Sequence, residues 1–131
     1  GTYPVFNSLL TLSLIENRRS LWARKELGYL LAISRDEGKD IYSIKGSWAG
    51  AFGIPQFIPS SYVLHGADGN GDGRVDLYNH ADALASVARY LKAHGWSAFD
   101  DEAQKQAIWA YNHCDSYVKG VQAYARALRS K

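Results

Sequence analysis

Two loop-forming stretches in the middle of the chain limit what it can fold into. The first, SWAGAFGIPQFIPSSY from Ser47 to Tyr62, follows Gly46 directly and carries two more glycines and two prolines in sixteen residues. The second, from Asp68 to Asp76, alternates glycine with aspartate and asparagine and has no helical period. Glycine and proline at this density break helix and strand alike, so regular structure has to lie on either side. There the apolar residues recur at helical spacing. Val5, Phe6, Leu9, Leu10 and Leu12 form one stripe; Leu21, Leu27, Leu30, Leu31 and Ile33 form a longer one that should stop near Gly38. Between the two loops, Pro59 suits the first turn of a short helix that Gly66 ends. After them, Asn79 can cap a helix with Leu84, Val87, Ala88 and Leu91 on one face and Gly95 as its stop. Asp100 and Asp115 start two more helices, the last running through Val118, Val121, Tyr124, Ala125 and Leu128. Only GRVDLY suggests a strand. The expectation is an all-α single domain over residues 1–131, with at most a very short β-ladder.

Composition narrows the function classes. The 131 residues carry a formal charge of +2 with Lys and Arg dispersed, which gives no nucleic-acid stripe. No apolar run is long enough to span a bilayer, and no signal-peptide pattern is present. Cys114 is the single cysteine, so no intrachain disulfide forms, and the four histidines lack zinc spacing. Aromatic residues make up 13%, a load that suits either a packed core or stacking on carbohydrate. The opening GTYPVFNSLL, with no methionine and an immediate apolar stripe, reads as the interior of something longer.

DGNGDGRVDLYNHAD follows the first half of the calcium-loop pattern D-x-[DN]-x-[DN]-G. Asp68, Asn70 and Asp72 hold its first, third and fifth positions, Gly73 the sixth, and Arg74 would offer its backbone carbonyl from the seventh. A hard cation needs several oxygens at once, and alternate residues on a curling loop aim them inward. The twelfth position is Asn79, where the pattern needs glutamate. Asp82, three residues further on, can close a lengthened loop over 68–82. The alternative is a glycine-rich turn in which Asn79 and Asp82 serve only the start of the next helix.

Taken in order, KGSWAGAFGIPQFIPSSY, the aspartate loop, ALASVARYLKAHGW and AYNHCDSYV resemble the lytic murein transglycosylases of the membrane-bound type B group. LLTLSLIENRRSLW and AISRDEGKD extend the resemblance over nearly the whole chain. It implies a lysozyme-like helical core with an EF-hand-like structural calcium or sodium site. The implied reaction cleaves peptidoglycan between N-acetylmuramic acid and N-acetylglucosamine, the muramic C6 hydroxyl attacking the anomeric carbon to give a 1,6-anhydro product. By the same resemblance Ser47, Gln56, Tyr90, Tyr111, Asn112 and Tyr117 contact the glycan, and Asp68, Asn70, Asp72, Arg74 and Asp82 hold the metal. The expected partner is the peptidoglycan glycan strand, with no nucleic acid and no membrane span, and the expected setting is the bacterial periplasm or cell envelope in a monomer. Capping would explain Ser47 equally well, whereas Gln56 is expected to be a buried amide and Trp48, Phe52 and Phe57 core residues. The loop glycines are expected to let backbone approach the sugar.

The family's catalytic glutamate lies about two helical turns ahead of the segment matching GTYPVFNSLLTLS. None of Glu16, Glu26, Glu37 and Glu102 holds that position. The expectation is therefore the C-terminal portion of a catalytic domain, inactive alone, with a non-catalytic peptidoglycan-binding module as the alternative. Only 21 positions separate Tyr90 from Tyr111, where some relatives insert a subdomain, so the groove is expected to be more open there.

Overall fold

A computed structural model describes residues 1–130. Six helices and one two-residue ladder account for its regular structure among those residues: β1 (Tyr3–Pro4), α1 (Val5–Leu14), α2 (Ser20–Glu37), β2 (Lys45–Gly46), α3 (Pro59–His65), α4 (His80–Ala93), α5 (Asp101–Tyr111) and α6 (Asp115–Arg129). The chain folds as two compact units, Gly1–Val87 and the part from Ala88 onward, with α4 beginning in one and ending in the other. No helix among the described residues is long and apolar enough to cross a membrane.

Helix boundaries follow local chemistry. Pro59 opens α3, and Gly38 closes α2 in the left-handed region at φ 63°. Asn79 caps α4 by accepting from the Ala81 N–H at 2.8 Å. The Asp100 carboxylate accepts from the Glu102 and Ala103 N–H groups at 2.9 and 3.0 Å and so caps α5. The ladder pairs β1 with β2 antiparallel, Tyr3 opposite Gly46 and Pro4 opposite Lys45. GRVDLY takes no part in it. That segment is tied to its surroundings through single backbone groups, which give it no strand partner.

The first unit buries Val5 and Leu9 of α1 against Ala23, Leu30 and Ile33 of α2, with Ile44, Phe52, Phe57, Leu77 and Ala83 closing the core. The apolar stripes read from the sequence are only half right. On α2 the buried positions are 23, 26, 30 and 33, so Leu21 and Leu31 point to solvent. On α4 the buried positions are Asp82, Ala83 and Ser86, and Leu84 is 71% exposed. In the second unit Ala107, Ile108 and Val118 are buried, and α5 packs against α6.

One buried position is a carboxylate. Glu26 is 3% exposed and stands inside the apolar period of α2. Its Oε2 accepts from the Ser60 N–H at 2.9 Å and its Oε1 from the Ser60 hydroxyl at 2.8 Å. Both partners lie in the first turn of α3, where backbone N–H groups have no helical acceptor and the helix dipole favours negative charge. Glu26 thus caps α3 from a neighbouring helix. Removing it leaves the Ser60 N–H unsatisfied beside a cavity, so Glu26→Ala should lower stability by about 2–4 kcal/mol in urea denaturation. Glu26→Gln should lose less, because an amide can accept from the Ser60 N–H and donate to its hydroxyl oxygen. Equal stability of Glu26→Ala and the parent would remove the capping role.

Candidate functional site

The loop from Gly46 to Phe57 is built as two nested turns. In the first, Ser47 turns its side chain on its own loop: its Oγ accepts from the Ala49 and Ala51 N–H groups at 3.2 and 3.1 Å. Its N–H donates to the Ala51 carbonyl at 2.7 Å. No helix starts at Ser47, so its hydroxyl oxygen caps a turn and not a helix. In the second turn, Phe52 and Phe57 exchange backbone hydrogen bonds of 2.8 and 3.0 Å and are both buried, as expected of core residues. Gln56 lies between them at the surface. It is exposed rather than buried, because Pro55 and Phe57 take the inward positions on either side.

Gln56 has φ 53°, the only non-glycine among the described residues in the left-handed region. Its backbone N–H and its Nε2 both donate to the Gly53 carbonyl, at 3.2 and 2.8 Å. That pair holds the amide on an exposed residue. Trp48, expected in the core, is 63% exposed. It borders a 460 Å³ groove along α1 that also includes Tyr3, Asn7 and Thr11. The turn around Ser47 is too tight to fold an indole beneath itself.

The glycines of this loop answer to packing. A Cβ on Gly53, at φ 74°, would stand 2.4 Å from the Leu77 Cβ, and one on Gly50, at φ 85°, 2.6 Å from Leu9 Cδ2. The protein's own leucines occupy the space that the sequence suggested was kept for a sugar. Leu77 then accepts from the Ile54 N–H through its carbonyl at 2.8 Å, and the Tyr78 hydroxyl donates to the Lys45 carbonyl. Burial raises the Tyr78 pKa above its ordinary value.

Leu77 and Tyr78 end the aspartate loop, whose shape comes from carboxylates accepting backbone N–H groups. Asp68 accepts from Gly71 and Gly73 at 2.6 and 2.7 Å, and Asp72 from Arg74 at 2.9 Å. Asp82 is 1% exposed and takes three: Gly69 at 2.9 Å and Asn70 at 3.3 Å on Oδ1, and Asp76 at 2.7 Å on Oδ2. Those amides, Asp76 first, hold its carboxyl below the usual carboxylate range. Asn70 donates to Asp72 at 3.0 Å. Among the described residues no three His, Cys, Asp or Glu side chains converge as metal ligands would. The donors nearby are all hard oxygens: two exposed aspartates, an asparagine and the Arg74 carbonyl.

The second unit holds the tyrosines. Tyr90, near the end of α4, donates its hydroxyl to the Ala110 carbonyl at 2.9 Å, stacks on His94 at 4.0 Å, and meets the Tyr111 ring edge-on at 5.2 Å. Burial raises the Tyr90 pKa, and burial with the nearby Tyr117 and Tyr90 pushes that of Tyr111 up to about 12. Both are therefore phenols at neutral pH. Asn112 ends α5 with its N–H on the Ile108 carbonyl, and its side chain is exposed, as is Tyr117 on α6. The structure thus gathers the expected residues into one group per unit: Ser47 and Gln56 on the loop, and Tyr90, Tyr111, Asn112 and Tyr117 around α5.

Among the described residues, no glutamate is both buried and unengaged. Glu26 caps α3. Glu37 is paired with Lys39 at 2.7 Å and accepts from the Tyr62 hydroxyl, whose pKa burial pushes upward. Glu102 bonds Lys105 at 3.2 Å in the open, and Glu16 is exposed.

Residues 1–105 match the family described as the transglycosylase SLT domain. The membrane-bound lytic murein transglycosylase B of Escherichia coli K12 is 44% identical over 103 residues, which is 79% of this chain and 28% of that protein. The E. coli lytic transglycosylase SLT35 in complex with bulgecin A superposes with a TM-score of 0.88 at 29% identity, covering 97% of this chain and 60% of that one. SLT35 in complex with calcium gives 0.73 at 44% identity, over 76% and 32%. The chain spans less than a third of the curated relative's length.

Alkaline titration tests the tyrosine environment. Tyr111 keeps its proton to about pH 12 when folded but only to its ordinary pKa of 10.0 when unfolded. The folded state binds more protons between those values, so stability is fully present below pH 10 and falls as the pH rises towards 12. In urea denaturation across that window, Tyr111→Phe should lose stability less steeply than the parent. Identical slopes would show that the hydroxyl is not held in a desolvated place.

Proposed function

The chain belongs to the transglycosylase SLT domain family, and from that premise we propose that it serves a lytic murein transglycosylase acting on peptidoglycan. The observation that carries this reading is the loop with Ser47 and Gln56, which lies within the family match and whose exposed glutamine amide is held by the Gly53 carbonyl. A glycan strand offers hydroxyl and acetamido groups to such a pair. The reaction cleaves the β-1,4 bond between N-acetylmuramic acid and N-acetylglucosamine. An acid protonates the leaving O4 as the C1–O4 bond breaks; the C6 hydroxyl bonds to C1 and returns its proton to the resulting carboxylate. One carboxyl group suffices because the substrate supplies the nucleophile, whereas a hydrolase needs a second carboxylate for water or a covalent intermediate.

That acid comes from outside these 131 residues, a reading supported by the structural employment of Glu26, Glu37 and Glu102. Ser47 and Gln56 bind and orient the sugar; Tyr90, Tyr111, Asn112 and Tyr117 add contacts, with Tyr111 a neutral donor at working pH. The setting is the bacterial cell envelope, where the polymer lies. The aspartate loop takes a structural calcium or sodium ion through Asp68, Asn70, Asp72, the Arg74 carbonyl and the remaining lone pair of Asp82. Its oxygen-only donor set suits a hard cation. The ion contributes loop order and no step of the reaction.

A longer form carrying the upstream segment should release 1,6-anhydro products from purified peptidoglycan, read by mass spectrometry, and the 131-residue chain should release none. Reducing-end products only would make the enzyme a hydrolase; glycan binding without products would leave a binding module. Gln56→Ala should weaken glycan binding by roughly tenfold, the loss of about one good hydrogen bond. Calcium at a hundred times its dissociation constant should add about 2.7 kcal/mol of stability. Asp68→Asn combined with Asp72→Asn should abolish that gain, and an unshifted melting temperature at millimolar calcium would remove the site.

A further inference from the structure

Tyr78 follows the leucine that packs on Gly53, and its side chain reaches a place that the short ladder leaves open. Lys45 of β2 stands opposite Pro4, which has no N–H to give the Lys45 carbonyl. One residue further on, Gly46 forms an antiparallel bridge to Phe52. On one flank of that bridge the Ser47 N–H meets the Ala51 carbonyl at 2.7 Å. On the other flank stand Lys45 and Gly53, and there the Tyr78 hydroxyl enters. It donates to the Lys45 carbonyl, and its oxygen faces the Gly53 N–H.

This is the reverse of an ordinary surface tyrosine, which buries its ring and keeps its hydroxyl wet. Tyr78 is 53% exposed, yet burial of its hydroxyl raises the pKa, and the facing Gly53 N–H acts against that rise. Phenylalanine would supply the same ring, so what tyrosine adds at this position is the hydroxyl. The two groups it joins are the ones from which the glycan contacts hang. Lys45 lies two residues before Ser47, and Gly53 offers its carbonyl to the Gln56 N–H and Nε2 at 3.2 and 2.8 Å. Backbone bonds close the turn around Ser47 and the turn around Gln56 separately. The hydroxyl links the entry of the first turn to the start of the second.

We propose that Tyr78 is a positioning residue for the glycan-binding loop: its hydroxyl, sent in from the aspartate loop, clamps Lys45 to Gly53 and sets how Ser47 and Gln56 stand relative to each other. It touches no sugar itself. The inference rests on the glycan-contacting role proposed above for those two side chains. Without the hydroxyl both turns still form, but they shift against each other, and a ligand that bonds both must first order them.

Tyr78→Phe removes the hydroxyl and keeps the ring, and two measurements on the folded 131-residue chain test the clamp. The first needs no ligand. In nitrogen-15 NMR the Gly53 N–H of the variant should exchange with solvent roughly tenfold faster. The Ser47 backbone and Gln56 side-chain amide signals should move, while those of α5 and α6 stay in place. The second measurement titrates a tetrasaccharide of alternating N-acetylglucosamine and N-acetylmuramic acid. Tyr78→Phe should weaken its binding at the loop roughly tenfold in the parent, but about threefold or less once Gln56→Ala is present, because the hydroxyl acts through that side chain. An equal loss in both backgrounds overturns the positioning role, since Tyr78 would then act independently of Gln56. Unchanged affinity with lowered stability also overturns it and leaves a purely structural bond. If the parent does not bind the tetrasaccharide, the proposed function fails at this loop and exchange alone decides the clamp. Protection of the Gly53 N–H lost in Tyr78→Phe then upholds it, and protection kept overturns it.

Discussion

The seating of Leu77 against Gly53 is the contact on which the rest of the first unit's functional surface depends. Leu77 is almost wholly buried and occupies the volume that any side chain at position 53 would need. Around it, the Ile54 N–H reaches the Leu77 carbonyl and the Tyr78 hydroxyl reaches the Lys45 carbonyl. The aspartate loop and the loop that carries Ser47 and Gln56 are therefore one mechanical body. Asp82 fixes the far side of that body by gathering three backbone N–H groups. Two irregular segments, each too rich in glycine to hold a shape alone, hold each other.

Glutamates show how the same residue type is spent differently by its surroundings. Glu26 is buried, and it faces a helix N-terminus with both oxygens hydrogen-bonded to Ser60. Those two oxygens are committed, which suits a cap and not an acid that must exchange a proton with substrate. Glu37 sits at the end of α2 and bridges Lys39 and Tyr62; Tyr62 also donates to the Val75 carbonyl at 3.0 Å. It ties the aspartate loop to α2.

Much of this was legible in the sequence because it rests on local rules. Pro59, Gly38, Asn79, Asp100 and Gly95 mark their helix ends through backbone geometry and short-range capping, which neighbouring residues decide. The helical class and the family follow from the same periodic segments and from motifs in fixed order. What stayed hidden was settled by distant partners. Leu21, Leu31 and Leu84 look like core positions by type, yet burial follows the face that meets another helix, and on α2 that face runs through Ala23 and Glu26. A glutamate in step with an apolar period was the available signal for the buried cap, but its partner Ser60 lies 34 residues away. The loop glycines were attributed to a ligand because no sequence pattern announces that Leu9 and Leu77 fill the space above them.

Gln56 carries the strongest local argument for function. A side chain in the left-handed region costs on the order of 1 kcal/mol relative to glycine, or to asparagine, which tolerates it better. Glycine is used at the neighbouring left-handed positions, Gly50 and Gly53, where packing demands it. At position 56 the residue is exposed, and glycine would make the same turn at lower backbone cost. What glutamine adds is a second hydrogen bond to the Gly53 carbonyl and an amide held there on an exposed residue. The backbone bond from the Gln56 N–H already closes the turn. The side-chain bond is therefore additional to the one that closes the turn, and the cost of the left-handed backbone at Gln56 is what motivates the ligand-contacting role proposed for it.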